Sequence, residues 1–175
     1  MSAPSTTELL APTVHDRLIG LLTDRAARYR LIDHEPEGRT APASKLRGHA
    51  LAQAAKCIIA RIKLGKETTR YVLAVIPGDQ QVNLNRLRQL YGGTSASLAK
   101  VDTAEHLAGT VSGTIVPFSF VAELELIVDP SLLVHETIFF NAARLDQSIE
   151  LDTQDYLAIS NPRVKPIVQV VPADT

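Results

Sequence analysis

The spacing of apolar residues near the start of the chain predicts an amphipathic helix. Pro12 and Thr13 are typical of helix starts. Behind them, apolar residues recur at helical intervals: Val14, Leu18, Leu21, Leu22 and Tyr29. The helix is expected to reach about Tyr29 and to pack on a sheet.

Four shorter helices are predicted further along the chain, over residues 44–47, 83–91, 102–108 and 152–159. Gly92 and Gly93 end the second of these helices. Asp102 and Glu105 have the spacing of a capping box at the start of the third. Good capping residues also precede the fourth.

Runs of β-branched and apolar residues predict strands over residues 30–34, 56–63, 69–76, 120–128, 136–141 and 164–171. The second and third strands are separated by LGKET, whose Gly65 suits a hairpin loop. A hairpin combined with irregular alternation of helices and strands indicates an α/β or α+β domain with a mixed sheet flanked by helices.

Composition adds that the chain is one globular domain. It has 175 residues, of which 45% are hydrophobic and 21% charged, so a disordered chain or a coiled coil is excluded. No apolar run approaches the roughly 20 residues that a membrane span needs. Residues 1–12 lack the basic start of a signal peptide and are expected to be a flexible segment before a domain at 13–171. Cys57 is the only cysteine, so no internal disulfide forms and a cytoplasmic location is expected.

The net charge of -1 conceals a division along the chain. Residues 1–70 hold 12 Lys and Arg against 7 Asp and Glu, whereas residues 71–175 hold 6 against 12. A local basic face that binds nucleic acid would produce this asymmetry, and so would two solvated faces of opposite sign. Around the hairpin, four cations stand against Glu67 alone: Arg61, Lys63, Lys66 and Arg70.

Lys56 is the most informative candidate for chemistry. The two-residue period of a strand places it on one face with Ile58, Ala60 and Ile62. A lysine at the mouth of an apolar interior suits an anion such as a phosphate or a developing oxyanion, although a strand-end lysine also reaches solvent without any function. Cys57 points to the opposite face, so Lys56 is not placed to activate it as a nucleophile.

The loop at residues 109–118 is a second candidate. Its two glycines permit close approach of the backbone to a ligand, and Pro117 stiffens its exit, although a plain structural turn has the same composition. It matches neither a Walker loop nor a dinucleotide fingerprint. The histidines are too scattered for a zinc motif, and neither a metal nor a cofactor is expected: His15, His34, His49, His106 and His135.

Five segments occur in the order seen in one known family: DHEPEGRTA, RGHALAQAAKCIIARIK, RYVLAVIPGDQQVNLNRLRQLYG, GTVSGTIVPF and FFNAARLDQSIEL. The chain resembles the YbaK/prolyl-tRNA editing family, free-standing relatives of the editing insertion domain of bacterial prolyl-tRNA synthetases. The resemblance covers residues 29–167. Its most specific elements are Lys56 and the G-x-x-x-P loop from Gly113 to Pro117.

This resemblance implies a barrel-like mixed sheet and a metal-free deacylase for mischarged aminoacyl-tRNA. It implies that Lys56 holds the terminal adenosine or its phosphate near the scissile ester, and that the backbone of Gly113, Thr114, Ile115, Val116 and Pro117 positions the carbonyl. Asn141 and Ser148 match pocket positions, and some members carry Asp where Ser148 stands. Thr40 and Ala41 are expected to complete a pocket for a small amino acid such as alanine, serine or threonine, with cysteine left open.

Two functions therefore remain open at this point. The first is hydrolysis of the ester of mischarged tRNA, in which orientation and polarisation of an already activated carbonyl replace a strong nucleophile. The second is a non-catalytic module that binds a tRNA end or an aminoacyl-nucleotide. In both, tRNA is the partner, an aminoacyl-tRNA synthetase is a candidate second partner, and the hairpin cations are expected to contact the acceptor stem.

Overall fold

The computed structural model describes residues 12–170. Five α-helices lie in this range: α1 (Val14–Asp24), α2 (Thr40–Arg47), α3 (Leu84–Leu90), α4 (Val101–Ala108) and α5 (Thr153–Ser160). Eight strands accompany them: β1 (Tyr29–Asp33), β2 (Ala55–Leu64), β3 (Thr68–Pro77), β4 (Ser95–Leu98), β5 (Leu124–Val128), β6 (Thr137–Asn141), β7 (Gln147–Asp152) and β8 (Arg163–Val164). The predicted flexible segment at residues 1–12 lies almost wholly outside the described residues.

The strands form two sheets, and this confirms the mixed α/β fold. The larger sheet has the order β4-β2-β3-β5-β8, with antiparallel pairs on one side and parallel pairs on the other. The smaller sheet has the order β1-β7-β6 and is antiparallel throughout. None of the described helices has the length and apolar character of a membrane-crossing segment.

The expectation of a barrel-like sheet is wrong. Within residues 12–170 the larger sheet ends at β4 on one side and at the two-residue β8 on the other, and these edges do not pair. A single bridge pairs Ala54, the residue just before β2, with Phe139 of β6, and so connects the two sheets. A closed barrel needs continuous pairing around its circumference, so the sheets remain open.

The central hairpin was predicted correctly and carries the main core. Strands β2 and β3 pair in register from Ala55 opposite Pro77 to Leu64 opposite Thr68, and Gly65 adopts a φ of 81° in the turn between them. One face of the hairpin packs with α1 and the smaller sheet, and the other packs with α3. Ala60 and Ile62 lie in the second of these clusters, as the alternation along β2 predicts.

Several predicted boundaries are wrong for local reasons. The first helix ends at Asp24 because Ala26 turns the chain with a φ of 52°, so Tyr29 belongs to β1 instead. The capping box predicted at Asp102 and Glu105 does not form, since Lys100 is the N-cap and the Glu105 carboxylate accepts from the Ser112 N–H.

Strand predictions were also too long or incomplete. The strand predicted over residues 120–128 is shortened to β5, and that over residues 164–171 to β8 with one bridge at Val168. Strands β4 and β7 were not predicted from the sequence. Strand β4 has only four residues, and β7 has polar residues at several positions. Pairing with β2 and β6, respectively, gives them their extended conformation.

We expect Tyr156→Phe to lower the free energy of unfolding by about 1–2 kcal/mol, because its fully buried hydroxyl donates to the Pro117 carbonyl at 2.7 Å. Tyr29→Phe is the matched control, since its hydroxyl meets Thr23 Oγ1 at an exposed site and should change stability by less than about 0.5 kcal/mol. Urea denaturation measures both. Equal effects would show that the Tyr156 bond does not anchor the end of the loop.

Candidate functional site

One cavity brings together half of the ten residues that the sequence predicts to hold the substrate. It has a volume of about 90 Å³ and lies between α2, the start of β2, the loop before β5 and the end of β6. Five predicted site residues line it: Thr40, Lys56, Gly113, Ile115 and Asn141. Its remaining lining residues were not singled out: Gly38, Arg39, Ala43, Arg47, Ala54, Ala55, Cys57 and Phe140.

The other predicted pocket residues lie outside this wall. Ala41 is exposed on the outer side of α2. Thr114, Val116 and Pro117 are buried residues of the loop that do not line the cavity. The Thr114 hydroxyl donates to the Val111 carbonyl at 2.6 Å. Ser148 is fully buried behind Asn141 and therefore supports the wall without facing the cavity.

The charge of the cavity is entirely positive. Arg39, Arg47 and Lys56 line it, and no carboxylate does. Arg39 is paired with Glu37 at 2.9 Å, whereas neither Arg47 nor Lys56 makes an ion pair with any described residue. The cavity therefore presents two uncompensated cations, an arrangement that attracts an anionic ligand.

Lys56 is held at the cavity by one backbone contact. Its Nζ donates to the Gln80 carbonyl at 3.0 Å, in the loop that follows β3. An ammonium group has three N–H donors, so this contact orients the side chain and leaves donors for a ligand. The surrounding apolar side chains raise the pKa of the neighbouring Cys57 thiol by desolvation. Cys57 is therefore protonated and is not a nucleophile at neutral pH.

The side-chain amide of Asn141 joins the two loops at the cavity mouth. Its Nδ2 donates to the Glu37 carbonyl at 2.8 Å and to the Gly113 carbonyl at 2.9 Å. Its Oδ1 accepts from the Ser148 hydroxyl at 2.9 Å and from Arg47 Nη1 at 3.4 Å. Two acceptors face the amide nitrogen and two donors face the amide oxygen, so one orientation of the amide satisfies every partner. Asn141 is therefore fixed in place, and it is only 7% exposed.

The two joined loops touch through glycines. Gly113 adopts a φ of 87°, and a Cβ at this position would lie 2.7 Å from the Gly38 Cα and 2.8 Å from its carbonyl oxygen. Backbone atoms cannot move away as a flexible side chain can. Glycine at position 113 is therefore required by both its conformation and its neighbour.

Behind the wall, two histidines that the sequence left unassigned complete a polar network. His34 Nε2 lies 2.6 Å from Ser148 Oγ, and its Nδ1 faces the Glu35 carbonyl at 2.7 Å. His49 stacks on Phe139 with a centroid separation of 3.8 Å. Burial lowers the pKa of His49 to about 4, so a neutral ring accepts from Arg47 Nε at 2.8 Å.

The predicted tRNA-binding residues lie away from the cavity and on two faces. Arg61 and Lys63 stand opposite Tyr71 and Thr69, whereas Arg70 stands opposite Ile62 on the other face. Arg70 Nη1 also lies 3.6 Å from a Glu125 carboxylate oxygen. Along β2, Lys63 is about 23 Å from Lys56 at the usual rise of a strand. Within residues 12–170, no three His, Cys, Asp or Glu side chains group in a way that would hold a metal ion.

Comparison with known proteins identifies the class to which this fold and cavity belong. The profile of the aminoacyl-tRNA editing domain matches residues 34–159, which is most of the chain and contains every residue of the cavity. The chain belongs to this family, and the resemblance found in the sequence is confirmed. It is thus an aminoacyl-tRNA deacylase by class.

The individual relatives agree with this class. The chain is 42% identical over 151 residues to the multifunctional Ser/Thr-tRNA deacylase ProXp-y of Escherichia coli K12, covering 86% of this chain and 90% of that protein. Its fold matches the crystal structure of hypothetical protein APE2540 with a TM-score of 0.79 at 21% identity, over 87% of this chain and 99% of the other. It also matches a proposed trans-editing enzyme for prolyl tRNA synthetase, with a TM-score of 0.74 at 20% identity, over 92% and 99% of the two chains.

We expect Gly113→Ala to lower the free energy of unfolding by about 2–4 kcal/mol, since the left-handed backbone and the contact with Gly38 both oppose a side chain. Gly92→Ala is the matched control, because Gly92 has a φ of 64° but no atom within 4 Å of an added Cβ. It should cost only about 1 kcal/mol. Urea denaturation compares them, and equal losses would mean that the contact between the loops is not tight.

Proposed function

We propose that this protein hydrolyses the ester of tRNA mischarged with a small amino acid, without a metal ion, and that the cavity holds the aminoacylated 3′ end. The observation that carries the proposal is the charge of the cavity, with Lys56 and Arg47 uncompensated and no acidic residue in the wall. A tRNA end brings a phosphodiester to such a site, and Lys56 would supply its cationic partner.

The amides of the G-x-x-x-P loop would polarise the scissile carbonyl. Within residues 12–170, the backbone N–H groups of Gly113 and Ile115 donate to no protein acceptor, and both residues line the cavity. Free N–H donors in a fixed loop stabilise negative charge that develops on a carbonyl oxygen. Because an aminoacyl ester is already activated, this polarisation and the correct orientation replace a nucleophilic side chain.

The amino acid would be small. The wall near Asn141 combines Thr40, Ala43 and Ile115, which leave room for a short side chain and offer few surfaces to an aromatic ring. The E. coli relative is named a Ser/Thr-tRNA deacylase, and serine and threonine are within this size. We therefore place seryl- and threonyl-tRNA ahead of other substrates for this chain.

The direct experiment is a deacylation panel at equal concentrations of seryl-, threonyl-, alanyl-, cysteinyl- and phenylalanyl-tRNA. The proposal predicts rapid release of the small amino acids and release of phenylalanine at the uncatalysed rate. Tight binding of these tRNAs without release of any amino acid would instead support the non-catalytic module. Faster release of phenylalanine than of serine would contradict a small pocket.

Lys56→Ala should reduce kcat/KM for seryl-tRNA by about 100-fold or more, as the loss of a charged group that contacts the reacting region does in other enzymes. The control is Lys165→Ala, an exposed lysine after β8 at the far edge of the larger sheet. It should keep wild-type activity. Unfolding by urea verifies that both variants fold, and normal turnover by folded Lys56→Ala would remove Lys56 from the mechanism.

The hairpin would hold the tRNA outside the cavity, through Arg61, Lys63, Lys66 and Arg70. Replacing Lys63 and Lys66 together by Ala should weaken tRNA binding and reduce the slope of log Kobs against log salt by about 1 to 2. Each phosphate contact releases counterions on binding, so fewer counterions are released when contacts are lost. Lys165→Ala again serves as the control and should leave the slope unchanged. An unchanged slope in the double variant would show that the hairpin is a solvated face only.

A synthetase partner stays a prediction from the sequence.

A further inference from the structure

Arg47 is an unusual residue for the interior of a small domain. Its guanidinium contacts three largely buried polar side chains, Ser44, Asn141 and Ser148, so its charged end lies at the base of the cavity. It has no carboxylate partner among the described residues. Burial lowers the pKa of Arg47 to about 10, which still leaves the group charged at neutral pH.

The protein satisfies this guanidinium only in part. The bond from Nε to His49 is short at 2.8 Å, but those from the two terminal nitrogens to Ser44, Asn141 and Ser148 measure 3.3 to 3.4 Å. Arginine has five N–H donors, and Nη2 uses one of its two on Ser44. At least one N–H at the base of the cavity therefore has no acceptor within residues 12–170.

We propose that Arg47 reads the side-chain hydroxyl of the esterified amino acid by donating this remaining N–H to it. The inference rests on the proposed function and deepens it, since it names the chemical feature that selects the substrate. In this arrangement the phosphodiester of the tRNA end contacts Lys56, whose Nζ also donates to the Gln80 carbonyl. The amino-acid side chain is then the part that reaches Arg47.

A hydroxyl fits this position better than a carboxylate does. A carboxylate binds arginine most strongly through two parallel N–H donors, and the Nε side of the guanidinium is already directed at His49 and Ser44. A single remaining donor suits a single oxygen. A methyl group in place of the hydroxyl would bury the charged N–H without a partner, and sites built to bind a hydroxyl strongly reject such analogues.

The test compares seryl-tRNA with 2-aminobutyryl-tRNA, which replaces the hydroxyl by a methyl group of similar size on the same tRNA. The wild-type protein should prefer seryl-tRNA in kcat/KM by about 10- to 100-fold, the usual range for one hydrogen bond to a charged group. Arg47→Met should abolish the preference by slowing seryl-tRNA, with less than about a threefold change for 2-aminobutyryl-tRNA. Arg47→Lys keeps the charge and should restore part of the preference.

Each result has one interpretation. No preference in the wild type, or equal losses on both substrates in folded Arg47→Met, would overturn the reading of the hydroxyl and leave Arg47 a structural residue. Faster hydrolysis of aspartyl-tRNA than of seryl-tRNA would assign Arg47 to a carboxylate instead. If the wild type released neither serine nor 2-aminobutyrate, the proposed function itself would fail. Even if neither Arg47 variant folds, the absence of a preference in the wild type would overturn the proposal.

Discussion

The side-chain amide of Asn141 holds together the two loops on which the cavity depends. Its Nδ2 bridges the Glu37 and Gly113 carbonyls, and this bridge brings the Gly38 and Gly113 backbones into direct contact. Without it, two carbonyls would lose a donor and the buried Ser148 hydroxyl would lose its acceptor at the same place. The position of the G-x-x-x-P loop relative to Lys56 is thus set by one amide at the end of β6.

The constraint on Asn141 continues into the charge of the site. The amide keeps its orientation because Ser148 and Arg47 donate to its oxygen from behind. The same Arg47 brings an uncompensated positive charge to the base of the cavity, and neutral His49 supports it without cancelling that charge. Arg47 therefore has two effects. It orients the Asn141 amide in the cavity wall, and its charge makes the cavity attractive to an electron-rich ligand.

Much of this arrangement is visible in the sequence where a regular period governs it. Alternation along β2 correctly places Lys56 on the face of Ala60 and Ile62, and the two glycines and the proline mark the loop that bears Gly113. Both features are local. The deacylase class was accessible as well, because the ordered motifs are characteristic of the family.

The rest depends on contacts between distant segments. Arg47 carries no periodic signal, and its importance arises from Asn141 and Ser148, which lie 94 and 101 residues further along the chain. Ser148 was expected in the wall because of family position, but pairing of β6 with β7 places it behind Asn141. A single sequence does not reveal such pairings, and for the same reason the open sheet was mistaken for a barrel.

The location of the site is the central claim, and a non-hydrolysable end of seryl-tRNA tests it most directly. In NMR titrations with 3′-serylamido-adenosine 5′-phosphate, we expect the largest shifts at the Asn141 side-chain amide and at the backbone amides of Gly38, Gly113 and Ile115. The hairpin tip near Lys66 should not respond to so short a ligand. Shifts confined to other grooves, such as the one lined by Arg61 and Lys100, with no change at Asn141, would contradict the account.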